Sequence, residues 1–332
     1  MDAYIDPEPL FLQIELTTRC NYTCRFCAGR HLPQRHMAPE VFRDVVDVSN
    51  RAIHYELQGE GEPMLHPRFF ELLAYLRDRR PGAHISFITN GSFLGTDAAE
   101  RLLDADIDRI LVSIESPLPE EFRSIRGGDL EQVTAGIADF VAAKRNRSGP
   151  TTAIGFAATV FHGTVARIHG IAALYQRLGM DGGMIIQPLQ RMPAYRRYYA
   201  DDIAREIPTA ADRMELRRRI AADRHLRRIV STPPPRPGFY AELYRSIPPA
   251  EPLCPWLQHG LYITADGTAM TCCFVKDTER FGLARYDRAS LPLIAARRRQ
   301  PAGALVSGSI PEQCAGCSLA ERITNGYRSA AT

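Results

Sequence analysis

Between residues 10 and 190, short apolar runs alternate with longer amphipathic stretches. Strand-type runs fall at 10–16, 52–57, 84–89, 109–114, 153–160 and 183–188. They are short, rich in branched and aromatic residues, and bounded by turn formers. Apolar residues at helical spacing predict helices over 39–50, 67–79, 98–105, 130–145 and 164–178. Strands alternating with helices at this interval predict an α/β fold with a parallel sheet and helical crossovers. Six such units are too few for a closed eight-stranded barrel.

The pattern changes after residue 190. Stretches 191–199 and 214–228 are rich in Arg and Tyr and read as helices with solvated faces, and 231–238, Ser-Thr-Pro-Pro-Pro-Arg-Pro-Gly, reads as a linker because proline excludes helix. Two further strands, 262–264 and 268–273, flank Asp266-Gly267, a hairpin signal. The expected organisation is therefore a β/α region over 1–190, a connector over 191–250 and a small C-terminal unit over 251–332.

Composition narrows the picture. A chain of 332 residues with 45% hydrophobic and 24% charged content can bury a large core in one domain or two. It has no apolar run long enough to span a bilayer and no basic-then-apolar N-terminus of a secretory signal. A net charge of +3 is too small to imply nucleic acid. Basic residues are Arg except Lys144 and Lys276, a compositional habit rather than a phosphate site. A cytoplasmic protein without a membrane or nucleic-acid partner is expected.

The eight cysteines fall in two groups, with none between Cys27 and Cys254. Without a secretion signal, such clustering points to metal rather than disulfides. The first group follows the first strand as Cys20-Asn-Tyr-Thr-Cys24-Arg-Phe-Cys27. Cysteine thiolates hold iron–sulfur clusters, and three of them can ligate three irons of a 4Fe–4S cubane, leaving the fourth open to a non-protein ligand. A zinc knuckle completed by His31 or His36 is the competing structural assignment.

At this cysteine loop the chain resembles the radical S-adenosylmethionine (SAM) superfamily. The resemblance implies a partial (β/α)6 TIM-like barrel and a 4Fe–4S cluster on Cys20, Cys24 and Cys27. It also implies SAM chelated at the open iron, reductive cleavage of its S–C5′ bond, and hydrogen abstraction from substrate by the 5′-deoxyadenosyl radical. Four further segments support the match. Gln58-Gly-Glu-Gly-Glu-Pro63 is similar to the family's Gly-Gly-Glu-Pro motif; Glu60 stands where glycine is usual, so Gly61, Glu62 and Pro63 carry the implied contact with the SAM amino group. Thr89-Asn90-Gly91 recurs in the family, although Asn-Gly is also a turn signal. Ser113-Ile114-Glu115 stands where Ser-Ile-Asp is common near the SAM ribose and carboxylate, with Glu115 in place of Asp. Arg126 has a guanidinium fork that matches a carboxylate; otherwise it is a solvated surface residue. Gln187 ends the sixth strand and either reaches the site or terminates the strand.

The second group is Cys254, Cys272-Cys273 and Cys314-Ala-Gly-Cys317. A hairpin between cysteine positions brings them together, and Cys254, Cys272, Cys314 and Cys317 make four ligands. Gly267-x4-Cys272 followed by a late C-x2-C resembles the SPASM/twitch auxiliary-cluster domains of the same superfamily, in the shorter one-cluster twitch form; this implies a second 4Fe–4S cluster. A four-cysteine zinc ribbon is the alternative. Three ligands and four leave one cysteine over, Cys272 or Cys273. Neighbours on a strand point to opposite faces, and the Gly-x4-Cys spacing favours Cys272 as ligand. Cys273 is then a packed apolar residue or a thiol at the barrel mouth that donates hydrogen.

The expected activity is that of a two-cluster radical SAM oxidoreductase or epimerase. The resemblance implies dehydrogenation or epimerisation of a sugar or aminocyclitol, or modification of a peptide, with electrons from a donor such as flavodoxin or ferredoxin. The first strand begins at Leu10, which leaves no leader-peptide-binding domain before it and favours a small molecule. The different-class alternative is a non-catalytic iron–sulfur carrier or zinc-binding module; carriers usually ligate each cluster fully, and a three-cysteine set argues for an open iron.

Overall fold

The alternating pattern is realised as one nine-stranded sheet, whose strands in spatial order are Met184–Pro188, Ala153–Val160, Arg109–Ser113, His84–Thr89, His54–Leu57, Phe11–Ile14, Gly260–Ile263, Thr268–Met270 and Ala284–Arg285. The computed structural model describes residues 5, 8–148, 152–190, 201–230 and 253–330. Strands β1 (Phe11–Ile14), β2 (His54–Leu57), β3 (His84–Thr89), β4 (Arg109–Ser113), β5 (Ala153–Val160) and β6 (Met184–Pro188) run parallel to their neighbours. Helices Pro39–Val48, Phe69–Arg79, Thr96–Asp104, Leu130–Arg145 and Ile168–Arg177 form the crossovers. All six expected strands are present. The first spans Phe11–Ile14 rather than 10–16, although the Glu15 N–H still donates to the Ile263 carbonyl at 2.9 Å before the chain enters the cysteine loop.

Two stretches differ from the expectation. Helix Pro119–Arg126 lies in a stretch to which the sequence pattern assigns no element; proline opens it and Gly127, at φ 73°, closes it. The single helix over 214–228 is two, Ala210–Ala222 and Arg224–Val230, divided where Asp223 turns to accept the His225 and Leu226 N–H groups. The helix expected over 191–199 and the linker over 231–238 lie outside the described residues.

The C-terminal hairpin is β7 (Gly260–Ile263) and β8 (Thr268–Met270), with Gly267 at φ 86° in its turn. Strand β7 adds in parallel to β1, pairing Phe11 with Gly260 through Ile14 with Ile263, so the hairpin continues the β/α sheet. Strand β9 (Ala284–Arg285) finishes it antiparallel, and the sheet stays open. Strand β8 stops at Met270, short of the expected 273. Cys272 instead opens a turn, its carbonyl accepting the Val275 N–H at 3.2 Å, so strand alternation does not separate Cys272 from Cys273.

Side-chain alternation divides the sheet into two faces. Leu12, Ile14, Tyr55, Leu57, Ile85, Phe87, Ile110 and Val112 join the main apolar core with the crossover helices. The residues between them carry Gln13, His54, Glu56, His84, Ser86 and Arg109 on the other face, and all but Arg109 are buried. Interiors of parallel barrels are usually filled by branched apolar residues; this inner face is polar. No helix among the described residues is long and apolar enough to cross a membrane.

Candidate functional site

The end of β1 leads into a loop that returns at the isolated bridge between Thr17 and His36. Cys20, Cys24 and Cys27 line one cleft on this loop, with Thr18, Tyr22, Arg30, Gln34 and Glu60 around them. His31 and His36 are not part of that lining. The Cys27 N–H closes a turn onto the Cys24 carbonyl at 3.2 Å, which brings both thiols to one side. Backbone N–H groups of Tyr22 and Gly29 point at the sulfurs of Cys20 and Cys27, at 3.4 and 3.3 Å.

Burial pushes all three thiols up, Cys24 to about 11, and the Glu60 carboxylate adds to the rise at Cys27. Such thiols stay protonated unless a cation joins them, and a coordinated metal deprotonates a thiol outright. Among the described residues no three His, Cys, Asp or Glu side chains converge on a point that would hold a single metal ion. A cubane takes its thiolates on separate irons, and three thiols lining one cleft are a donor set of that kind.

The loop after β2 packs directly on the cysteine loop. A side chain at Gly61 would stand 2.4 Å from the Thr17 carbonyl and 2.5 Å from that of Arg19, and the Glu62 N–H donates to the Arg19 carbonyl at 2.9 Å. Pro63 starts a short 3-10 turn that Glu62 caps. The Glu62 carboxylate accepts from the Met64 N–H, the Thr89 hydroxyl and the Asn90 N–H, at 3.2, 2.8 and 2.6 Å. Burial nevertheless raises it to about 6. Asn90 in turn donates to Asn21 at 2.8 Å and lies 3.8 Å from the Cys20 sulfur. Three motifs far apart in sequence thus close on one cleft.

Ser113 is half-buried at the end of β4. Glu115 and Arg126, read separately from the sequence, meet each other: Arg126 Nη1 donates to both Glu115 oxygens at 2.9 and 2.8 Å. Arg126 is buried, which overturns its reading as a solvated surface residue. Burial opposes its charge, but Glu115 outweighs burial and holds the guanidinium charged. Its Nε is buried with no hydrogen-bond partner among the described residues. Its carbonyl accepts from the Cys24 thiol and the Thr23 N–H. Gln187 is exposed at the end of β6.

Three residues with no assigned role in the sequence stand beside the cleft. Glu15 accepts the Glu60 N–H at 2.8 Å and the Ala265 N–H at 3.2 Å, tying β1 to the loop after β2 and to the hairpin. Glu60 Oε2 lies 3.3 Å from the Cys27 sulfur, and Glu60 Oε1 lies 3.2 Å from Lys276 Nζ. The signals were present: Glu60 is the departure from the glycine motif, and Lys276 is one of two lysines.

In the C-terminal set, Cys254 caps helix Pro255–His259, and Cys314 and Cys317 form a turn closed at 3.1 Å like that of Cys24 and Cys27. Cys254, Cys314 and Cys317 pack on Leu253, Leu257, Leu305 and Ile323. Burial raises Cys254 to about 11 and Cys314 to about 12, and also pushes Cys272 well up from its ordinary value. The Cys272 thiol interacts electrostatically with its neighbour Cys273 and with Cys254 and Cys314, and Cys254 with Cys317. Cys273 diverges: burial raises it to about 12, and the charges acting on it are those of Lys276, Glu56 and Glu60.

A sequence profile of the radical SAM superfamily matches residues 14–157. A Thermococcus kodakarensis protein named probable GTP 3',8-cyclase is 34% identical over 135 residues, 39% of this chain and 43% of that protein. A Methanococcus aeolicus protein of the same name is 28% identical over 218 residues, 62% of this chain and 69% of that protein. The first match thus spans less than half of the relative's length. In fold, the chain is similar to Streptococcus suis SuiB bound to S-adenosylmethionine, with a TM-score of 0.67 and 13% identity over 96% of this chain and 72% of SuiB.

Proposed function

We propose, on the premise that residues 14–157 are a radical SAM domain, that the chain abstracts hydrogen from an unactivated C–H bond of a small polar molecule or a peptide, giving dehydrogenation or epimerisation. The superfamily implies a 4Fe–4S cluster and SAM. Bound to the cleft, these supply the hydrogen-abstracting radical. The remaining work belongs to the chain. Cys20, Cys24 and Cys27 hold the cluster. Gly61 and Pro63 bring backbone close to it, and Glu62 fixes Asn90 over Cys20. Ser113 and the Glu115–Arg126 pair orient SAM, with Arg126 Nε the donor still unused. Cys254, Cys272, Cys314 and Cys317 hold a second cluster, and flavodoxin or ferredoxin brings electrons. The polar inner face, with Gln13, Glu56 and Arg109, suits a sugar or aminocyclitol; a peptide is supported by SuiB, whose structure with its precursor peptide SuiA shares the fold.

The observation that carries this reading is the divergence of Cys272 from Cys273. Both thiols pack on the Tyr262, Met270 and Val275 cluster, but beyond their mutual interaction Cys272 interacts electrostatically with Cys254 and Cys314, and Cys273 with Lys276, Glu56 and Glu60. A thiol pushed to about 12 keeps its hydrogen at neutral pH, as a hydrogen-atom donor must. The test is turnover in deuterated water by wild type and Cys273→Ala. Epimerisation through Cys273 places one deuterium at the attacked carbon in wild type, and the variant forms 5′-deoxyadenosine without inverted product. A ketone or aldehyde without deuterium, made equally by both, assigns a dehydrogenase and leaves Cys273 a packing residue.

The relatives' names favour a second reading, a nucleotide cyclase. GTP-dependent 5′-deoxyadenosine formation above the substrate-free rate would select it.

A further inference from the structure

Lys276 leaves the turn after Cys272 and Cys273 and is buried beside the first cysteine cleft, its side chain 4% exposed. Its Nζ lies 3.2 Å from Glu60 Oε1 and 3.8 Å from the centre of the Tyr262 ring. The other Glu60 oxygen lies 3.3 Å from the Cys27 sulfur, so a single carboxylate separates the ammonium from that thiol. Glu15, which holds the Glu60 N–H, is the second carboxylate acting on the lysine. A buried charge is costly unless paired. Here the partners come from the end of β1, the loop after β2 and β7. Burial opposes the lysine's charge, but Glu60 and Glu15 outweigh it and hold the ammonium charged.

The cleft needs such a charge. Three thiolates bring negative charge to a place where the group nearest Cys27 is already a carboxylate. Arg126 stands on the Cys24 side, where Glu115 engages it. Lys276 stands on the Cys27 side and hangs from the C-terminal cysteine segment. We propose that Lys276 is a positioning residue that acts through Glu60 as fixed countercharge for the cluster on Cys20, Cys24 and Cys27, and raises its reduction potential. This rests on reading those cysteines as cluster ligands. Reduction adds one negative charge, and a fixed cation in a low-dielectric site favours the reduced form. The C-terminal segment thereby tunes the N-terminal site without contributing a ligand to it.

The experiment uses full-length protein reconstituted anaerobically, with iron counted and the SAM-perturbed paramagnetic signal titrated against electrode potential, so no turnover is read. Lys276→Met keeps length and removes charge; Lys276→Arg keeps charge and changes shape. The Met variant should hold wild-type iron while its ratio of reduced to oxidised cluster at fixed potential falls about tenfold, a one-electron shift of about 59 mV to more negative potential. The Arg variant should stay nearer wild type than the Met variant. A Met variant with full iron and the wild-type ratio, or an Arg variant that shifts as far as Met, overturns the proposal. Should the Met variant lose iron, Lys276→Met with Glu60→Gln removes the ammonium together with the carboxylate it pairs with, and Glu15 keeps the Glu60 and Ala265 N–H groups as donors. Iron regained in that double variant supports charge compensation, and continued loss makes Lys276 structural and ends it. A wild type with iron but no SAM-perturbed signal is a separate failure, that of the ligand reading itself.

Discussion

The two cysteine groups contain the same local device in opposite surroundings. Cys24–Cys27 and Cys314–Cys317 are both Cys-x-x-Cys turns closed by an N–H to carbonyl bond, at 3.2 and 3.1 Å. The first sits on one continuous loop, gripped by polar contacts from the ends of β2 and β3 and from the end of helix Pro119–Arg126. The second is assembled from three segments and rests on an apolar cluster of Leu, Ile and Ala side chains. A polar rim leaves open coordination and donors for a cofactor. An apolar bed under Cys254, Cys314 and Cys317, with Cys272 interacting electrostatically with Cys254 and Cys314, suits a closed, fully ligated centre. The contrast accords with the proposed reading, in which the first group does the chemistry and the second gives support or handles electrons.

The sharpest way to break this contrast is to delete each group separately. Alanine at Cys20, Cys24 and Cys27 should leave about four irons per chain, and alanine at Cys254, Cys272, Cys314 and Cys317 should also leave about four, the count of one cubane. Only the latter variant should retain a SAM-perturbed signal. Zinc in place of iron in the first variant would turn the C-terminal group into a ribbon.

Gly61→Ala comes next. The added Cβ meets two backbone carbonyls at 2.4 and 2.5 Å, which cannot move without parting the cysteine loop from β2. Overpacking of this kind costs about 1–3 kcal/mol. Thermal unfolding should shift accordingly, and SAM affinity should fall with it. Unchanged SAM binding would mean that the loop contact does not shape the first site.

A smaller effect separates the polar inner face from both cysteine groups. Burial raises Glu56 to about 7 against an unperturbed 4.5, with Arg109 pulling the other way. Between those values the folded chain binds a proton that the unfolded chain has released, so this group's stabilisation is complete below about pH 4.5 and is lost as pH rises through about 7. Glu56→Gln should therefore gain stability relative to wild type at pH 8, by up to about 3 kcal/mol, and gain little at pH 5. A gain that is equal at both values would contradict the ionisation argument.

The smallest effect is expected at Arg280, whose exposed pair with Glu312 at 2.6 Å links the two C-terminal cysteine segments. Exposed pairs contribute little, so Arg280→Ala should leave iron content unchanged and stability within about 0.5 kcal/mol. Iron loss there would show that the C-terminal group depends on its rim rather than its apolar bed.

The same contrast explains what could be read from the sequence. The six parallel strands and the N-terminal cysteine loop were legible because each depends on local periodicity and spacing. The contact between Gly61 and the cysteine loop was legible only as a motif; its cause, backbone approach within a side chain's width, is tertiary. Arg126 and Glu115 were each noticed, but their pairing follows from where helix Pro119–Arg126 ends, and that helix was not expected. Strand β7 was expected in the hairpin, and its parallel pairing with β1 could not be, because no local signal specifies a partner 249 residues away. Lys276 was noted only for its rarity. Its burial beside Cys27 depends on that same pairing.

The central claim is that the N-terminal cysteine cleft drives reductive cleavage of SAM. Anaerobically reconstituted wild type, supplied with SAM and a strong reductant, should form 5′-deoxyadenosine. The Cys20, Cys24 and Cys27 to Ala variant should form none while it keeps the iron of the second group. Robust 5′-deoxyadenosine formation by that variant, or none by a wild type carrying its full iron, would contradict the account.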